Sequence, residues 1–174
     1  MGPPIVRPRG QGLGSALETQ TFWVDWGHLM DSKSARDSAD AILAAWNRRD
    51  YDKVAGQLAS DVVLVDHTRG RTATGPHQYV DRFRRVLDAF PDMRGETVSV
   101  LVDGSLVAQE TTWRGRHTAP LMLAGGGSIA PSNESMTMHL VTYMEFDDEG
   151  HAKVLRTYGN PREISVSART VGVG

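Results

Sequence analysis

The sequence predicts an α+β fold in which three helices precede a curled antiparallel sheet. Segments with apolar residues at helical spacing occupy the first half of the chain, and segments that alternate apolar and polar residues occupy the second half. The turn signals Asp103-Gly104 and Glu149-Gly150 separate the later segments, as in antiparallel hairpins. With 174 residues, of which 40% are hydrophobic, the chain is long enough for one domain with a real core.

The first 33 residues differ in composition from the rest. Pro and Gly fill seven of the first fourteen positions, so we expect residues 1–33 to be a flexible or irregular extension. Two interpretations of its aromatic residues, at positions 22–26, stay open. Either Met30 is the natural start and they are extraneous, or they pack against the domain or a partner. The α+β domain is predicted over 34–162 and a C-terminal tail over 163–174.

The first predicted helix begins at a capping pair of Ser34 and Asp37 and carries its apolar residues through Trp46. A short second helix is predicted from Tyr51 to Leu58, and the compact apolar segment DVVLVDH predicts a strand that ends near Asp66.

A turn and then the longest helix follow this strand. Thr74 is predicted to cap the helix, Pro76 suits its first position, and Pro91 ends it after Phe90. Its predicted inner face includes Tyr79 and Phe83. Four strands are predicted after it, over Glu96–Val102, Ser105–Arg116, Ser135–Phe146 and His151–Tyr158.

Polar residues interrupt strand faces that a plain core would keep apolar. Gln109 and Thr111 alternate with apolar residues on one strand, and Thr142 lies within a row of methionines on the next. Buried polar groups need partners or a ligand, so the pattern predicts a cavity near His117, His139, Thr142 and Tyr143. The predicted wall consists of Trp46, Tyr79, Phe83, Gln109, Thr111, Trp113, Met138 and Thr142.

Composition excludes several classes of function. The formal net charge is −2 and the 19 basic residues are dispersed, so the sequence predicts no nucleic-acid binding. No apolar run reaches the ~20 residues of a membrane span, and the start has no hydrophobic signal core, so we expect no membrane association and a cytoplasmic protein. There is no cysteine, and the histidines lack a metal-ligand spacing, so no metal site is predicted.

The order of elements, with the segments AWNRRDYDKVAGQLASDVVLVDH, TGPHQYVDRF, AFPD and WRGRHTAPL, resembles the nuclear transport factor 2-like superfamily and, within it, the SnoaL-like polyketide cyclases. The resemblance covers about 37–161. It implies a cone in which a long helix and two N-terminal helices close a curved sheet around a pocket, usually in a homodimer packed through the sheets. Its members include cofactor-independent cyclases of secondary metabolism, isomerases, dehydratases, epoxide hydrolases and binding proteins without chemistry.

The resemblance implies roles for individual residues. A base carboxylate of the isomerase branch matches Asp66, and an acid/base histidine of the cyclase branch matches His117. The isomerases' oxyanion tyrosine falls on Ile42, and the acid on the penultimate strand falls on Thr142, so both of these groups are lost. In the ketosteroid isomerases, an apolar site keeps such an acid protonated so that it can donate a hydrogen bond.

Two functions stay open at this point. Asp66 and His117 favour a cofactor-independent acid/base enzyme acting on a hydrophobic small molecule, with Asp66 as base and His117 as acid. The loss of the acid at Thr142 favours a binding or accessory protein of the same fold. Asp66 could also simply cap the turn that follows its strand. The sequence does not identify the substrate.

Overall fold

The computed structural model describes residues 31–123 and 125–164. Helices α1 and α2 span Ser32–Arg48 and Tyr51–Ala55, α3 spans Pro76–Ala89, and the short α4 spans Pro161–Ile164. The strands are β1 (Leu58–Asp66), β2 (Arg71–Thr74), β3 (Arg94–Asp103), β4 (Leu106–Arg116), β5 (Leu121–Met122), β6 (Ser128–Ile129), β7 (Ser135–Phe146) and β8 (Ala152–Gly159). The aromatic segment at 22–26 and the possible start at Met30 lie outside the described residues.

Helix α1 begins earlier than the sequence predicted, and its cap is a different residue. The Asp31 side chain accepts hydrogen bonds from the backbone N–H groups of Lys33 and Ser34 and from the Ser34 hydroxyl. Ser34 is thus a partner of the cap rather than the cap, and Asp37 instead pairs with Lys33 one turn back, at 2.6 Å. The prediction of a Ser34–Asp37 capping pair is wrong, because Asp31 satisfies the free N–H groups first.

The region between α2 and α3 contains more strand than predicted. Leu58 starts β1 instead of ending α2, and the segment expected to be a turn includes β2, which pairs antiparallel with β1. Thr74 therefore belongs to a strand and does not cap α3. The N-cap is Gly75, whose φ of 82° lies in a region that suits glycine.

The main sheet has six strands in the order β2-β1-β8-β7-β4-β3, and it curves without closing. The four predicted later strands are confirmed as β3, β4, β7 and β8, with ends shifted by two residues or less. Neighbours pair antiparallel except β1 and β8, which run parallel. This pairing joins the N-terminal strand to the middle of the sheet, and it carries Asp66 next to the strands that the chain adds last.

Helix α3 covers the concave face of the sheet, and an aromatic cluster joins the two layers. The Phe83 ring makes edge-on contacts with Trp46 of α1 and Trp113 of β4, at centroid distances of 4.9 and 5.0 Å. The Tyr79 ring makes a similar contact with Trp46 at 5.6 Å. Such pairs bury large apolar areas with a preferred geometry, so they fix the height of α3 above the sheet. The predicted α+β fold is confirmed.

The convex face of the sheet carries a second aromatic group. His67 stacks on Tyr158 at 4.4 Å, and Tyr143 contacts Tyr158 edge-on at 5.9 Å. Helix α4 lies over another part of this face, where Glu163 accepts hydrogen bonds from the backbone and the ring of His139. Within the described residues, no helix combines the length and apolarity needed to cross a bilayer.

Candidate functional site

A cavity of about 80 Å³ lies between α3 and the sheet. Its wall is mostly apolar, with a few polar side chains concentrated near β1 and the turn after it. Of the predicted wall residues, Tyr79, Phe83, Met138 and Thr142 line it, together with the predicted base Asp66. The remaining lining residues are Leu64, Thr68, Arg69, Arg82, Val86, Leu140 and Thr157.

Asp66 is buried at the end of β1 and is held by two groups. Its Oδ2 atom accepts a hydrogen bond from Arg82 Nη2 at 2.8 Å, and its Oδ1 atom accepts one from the backbone N–H of Arg69 at 3.1 Å. Arg69 Nη1 lies 3.6 Å from Oδ2. Asp66 therefore both caps its turn and lines the cavity. Since each carboxylate oxygen accepts one of these hydrogen bonds and has room for another, a ligand can still approach it.

Arg82 reaches Asp66 from the middle of α3, three residues after Tyr79. Burial lowers the pKa of Arg82, the Asp66 carboxylate raises it, and the positive charges of Arg69 and Arg71 lower it. Burying an unpaired charge is costly, so the ion pair is what permits an arginine in the cavity wall.

Tyr79 supplies a phenol to the same wall. Burial raises the pKa of Tyr79 to about 12, and a hydrogen bond with the Trp46 side chain only partly opposes this. The phenol is therefore protonated at neutral pH and acts as a hydrogen-bond donor rather than as a base.

Threonine hydroxyl groups lie beside Asp66 on the sheet side of the cavity. In the sheet Asp66 is paired with Thr157, and Thr157 with Thr142, so these three residues lie side by side on the same face. With strands ~4.8 Å apart, the Cα atoms of Asp66 and Thr142 are about 10 Å from one another. Thr68 also lines the cavity, and its buried Oγ1 atom has no hydrogen-bond partner among the described residues. An unpaired buried hydroxyl in a cavity wall is a group that a ligand or water satisfies.

The other four predicted wall residues lie in the packed core beside the cavity. Trp46 and Trp113 enclose Phe83, as described above. The Trp113 indole donates to Thr111 Oγ1 at 3.1 Å. The amide nitrogen of Gln109 lies 3.0 Å from Thr97 Oγ1 and 3.3 Å from an Asp40 carboxylate oxygen. The polar interruptions on β4 thus find protein partners, and only the interruption on β7, at Thr142, opens to the cavity.

His117 is buried, but it does not line this cavity. Its ring stacks on Phe90 at 4.9 Å, and its Nδ1 atom accepts a hydrogen bond from the backbone N–H of Ser132 at 3.2 Å. Nε2 then carries the proton of the neutral ring, and it has no hydrogen-bond partner within the described part of the chain. Asp66 contacts Arg82, eight residues before Phe90, which is about 12 Å along α3. The predicted pairing of Asp66 with His117 in one cavity is therefore not found, because they contact different parts of the helix.

His139 and Tyr143 lie on the convex face, away from the cavity. Thr142 points inward and its neighbour Tyr143 outward, as strand alternation requires. Sequence reasoning missed Arg82 and Thr157. A signal existed for both, since Arg82 follows Tyr79 by three residues on one helix face and Thr157 alternates with the buried Leu155.

The arrangement combines a carboxylate, a protonated phenol and several hydroxyls in a largely apolar enclosure. Such a set can hold a carbonyl compound, remove a proton and donate hydrogen bonds to the oxygen that gains charge. Within residues 31–123 and 125–164, no three His, Asp or Glu side chains are grouped to hold a metal ion.

Comparison with known proteins identifies relatives of this fold. The family model of the SnoaL-like domain matches residues 39–154. No curated protein sequence gives a significant match. Among solved structures, AclR from Streptomyces galilaeus, a candidate hydroxylase, is 22% identical over 77% of this chain and 83% of its own, with a TM-score of 0.65.

Two further structures are similar over comparable lengths. A candidate SnoaL-like polyketide cyclase from Jannaschia sp. CCS1 is 16% identical over 76% of this chain and 90% of its own, with a TM-score of 0.66. An LEH-like epoxide hydrolase from M. tuberculosis is 19% identical over 76% of this chain and 86% of its own, with a TM-score of 0.58. At these identities the likeness shows a common fold, and the names differ in the chemistry they describe.

Proposed function

The chain belongs to the SnoaL-like domain family, and from this premise we propose that it is a cofactor-independent acid/base enzyme of the polyketide cyclase or isomerase type. The observation that carries the proposal is the buried Asp66 carboxylate in the wall of a mostly apolar cavity. A hydrophobic carbonyl compound is the substrate class that suits such a wall.

In the proposed reaction, Asp66 removes a proton from the carbon next to a carbonyl group. The electron pair of the broken C–H bond forms an enolate, whose oxygen accepts hydrogen bonds from Tyr79 and Thr142. The enolate carbon then attacks a second carbonyl in the same molecule, which closes a ring, and the alkoxide that forms takes the proton from Asp66. With an unsaturated ketone the enolate is a dienolate, and it takes that proton back at its γ carbon, which moves the double bond. Tyr79 and the threonines replace His117 and the missing acid as donors, because they line the cavity and His117 does not.

The experiment is turnover of a small panel: a tricyclic ester, an unsaturated ketosteroid and an epoxide. We expect turnover of a carbonyl compound, and Asp66→Asn is expected to lower kcat/KM by roughly 100-fold or more, the usual contribution of a general base. Asp61→Asn is the matched control, since Asp61 is an exposed carboxylate on the same strand. Equal rates in the wild type and in Asp66→Asn would contradict the proposal.

A binding or accessory protein is the second candidate. It is favoured by Thr142, which stands where the related cyclases carry a carboxylic acid, and by the ion pair that already occupies Asp66. This alternative predicts a small molecule that co-purifies with the protein, is identified by native mass spectrometry and remains chemically unchanged on incubation.

We also propose a homodimer through the convex face of the sheet. Large side chains lie exposed there or on the adjoining edge strand β3: Tyr143 and Tyr158 are 39% and 40% exposed, and Leu101 is 76% exposed. A self-complementary contact between two copies would bury such a face.

A further inference from the structure

A second, larger depression adjoins the cavity on the outer side of α3. This groove has a volume of about 680 Å³ and runs between β2, one face of α3, and the β5–β6 hairpin. It shares Arg69, Arg82 and Val86 with the cavity, so the two spaces meet at these side chains. A molecule that spans both spaces would therefore contact these three side chains.

One wall of the groove is strongly basic. Arg69, Arg71, Arg82 and Arg85 line it, and Asp81 is the one carboxylate among its lining residues. Asp66 already pairs with Arg82 and lies near Arg69. Within the described part of the chain, the side chains of Arg71 and Arg85 have no ion pair within 4 Å and no hydrogen bond. Two guanidinium groups are thus free to bind an anion.

The like charges in this wall also act on one another. The positive charges of Arg69 and Arg71 both lower the pKa of Arg82, against the effect of Asp66. An anion bound to Arg71 would offset the contribution of Arg71 to this repulsion. The planar guanidinium binds carboxylate and phosphate oxygens through two parallel hydrogen bonds, which gives such a site geometric specificity.

The opposite wall is apolar. Leu121, Met122 and Leu123 of the hairpin segment line it, and Met122 and Leu123 are 56% and 46% exposed. Exposed aliphatic side chains facing a basic wall suit a ligand that has both an apolar body and a charged group.

We infer that the groove binds an oxyanion, a carboxylate or a phosphate, carried by the hydrophobic molecule whose other end enters the cavity. Arg71 and Arg85 bind the anion, and the hairpin residues contact the apolar chain. The inference rests on the proposed function, since it specifies the substrate class as an amphiphilic acid rather than a neutral hydrophobic compound.

The test compares the binding of octanoate, octyl phosphate, octanol and inorganic phosphate by calorimetry. We expect the better of the two charged amphiphiles to bind at least about tenfold more tightly than octanol, and its affinity to fall with added salt. Which of the two binds more tightly identifies the anionic group. The double variant Arg71→Gln/Arg85→Gln should lose about tenfold in affinity for the acid and none for octanol. Arg48→Gln on α1 is the matched control, since it also removes an exposed arginine that lines neither space.

The outcomes separate this inference from the proposed function. The anion site is wrong if octanoate and octyl phosphate bind no more tightly than octanol, or if the double variant binds them as tightly as the wild type does. Either result would overturn the site whether or not the protein is an enzyme. If inorganic phosphate binds as tightly as octyl phosphate, the apolar wall does not contribute to binding. Selective binding of the acid by a protein that turns over no carbonyl compound would uphold the anion site and reject the catalytic proposal. In that case Asp66→Asn would retain acid binding.

Discussion

Arg82 on α3 donates a hydrogen bond to Asp66 on β1 at 2.8 Å, and this ion pair joins helix and sheet where the cavity meets the groove. It gives a partly buried arginine its counter-charge and fixes the orientation of the carboxylate. The same contact thus serves stability and the proposed chemistry, so variants must be judged by folding and by activity together.

Replacing Tyr79 by phenylalanine removes the proposed donor. We expect kcat/KM to fall by roughly 100- to 1000-fold, the range for one lost oxyanion donor. We also expect a loss of about 1 to 3 kcal/mol in stability, because the buried Trp46 side chain loses its hydrogen bond with the phenol. Tyr51→Phe is the control, since that tyrosine contacts Trp46 from outside the cavity. Unchanged turnover in Tyr79→Phe would remove the phenol from the mechanism.

The raised pKa of Tyr79 also predicts a pH dependence. The fold favours the neutral phenol, so its contribution to the free energy of unfolding is complete below the unfolded pKa of about 10 and is lost as the pH rises through about 12. Ultraviolet titration of the wild type against Tyr79→Phe should assign one tyrosine to this late ionisation. A difference spectrum that titrates near pH 10 would contradict the buried position of Tyr79.

Thr142→Asp tests whether the polar interruption on β7 opens to the cavity. Thr142 is half-buried and lines the cavity, so the new carboxyl group can hydrate, and we expect a loss below about 1 kcal/mol. Thr111→Asp is the matched control, because Thr111 is buried in the packed core, where the cost should reach about 1 to 3 kcal/mol or more. Equal losses in thermal denaturation would show that Thr142 is a packing residue. If the chain is a cyclase that lost its acid, Thr142→Asp should also raise turnover.

Gly95→Ala tests the packing that supports the cavity wall. A Cβ atom at Gly95 would lie 2.6 Å from the Trp113 ring, and this ring packs on Phe83. We expect a loss of about 1 to 3 kcal/mol from overpacking and a change in ligand affinity. Gly125→Ala, where a Cβ atom meets nothing within 4 Å, should leave both unchanged. A neutral Gly95→Ala would mean that Trp113 is free to move.

The proposed dimer predicts a mass near twice the 19.0 kDa of one chain by light scattering at micromolar concentration. Tyr143→Asp places a charge on the convex face and should shift the mass to that of the monomer. Ser128→Asp adds the same charge on the β5–β6 hairpin and should leave the dimer intact. A monomeric wild type would reject this interface.

Much of the fold could be predicted because the local signals were strong. Alternation placed Met138 and Thr142 on the concave face, and Pro76 marked the start of α3. The edge strand β2 was missed because it has only four residues, which lie between the turn-forming Gly70 and Gly75, and because β1 is its single partner among the described strands. The predicted start of α1 was wrong because Asp and Ser are equally good N-cap residues, so residue type alone does not distinguish Asp31 from Ser34.

The site was harder to predict, because the distance between two side chains on a curved sheet depends on how the strands pair and curve and not on the sequence near either residue. The family resemblance predicted His117 in one cavity with Asp66, but it does not show that Phe90 covers the ring far from Asp66. Arg82 would ordinarily be assigned to solvent by its charge. It lies in the cavity wall only because β1 brings Asp66 opposite it, which is a consequence of the parallel pairing with β8.

Solvent deuterium exchange into a bound carbonyl compound, followed by mass spectrometry in D₂O, is the sharpest test of Asp66 as the base. It detects the proton removal assigned to Asp66 even if the later ring closure or isomerisation does not occur with the compound used. We expect exchange at the carbon next to the carbonyl with the wild type and with Asp61→Asn, and its loss in Asp66→Asn. Binding without exchange in the wild type, or equal exchange in Asp66→Asn, would rule out Asp66 as the base.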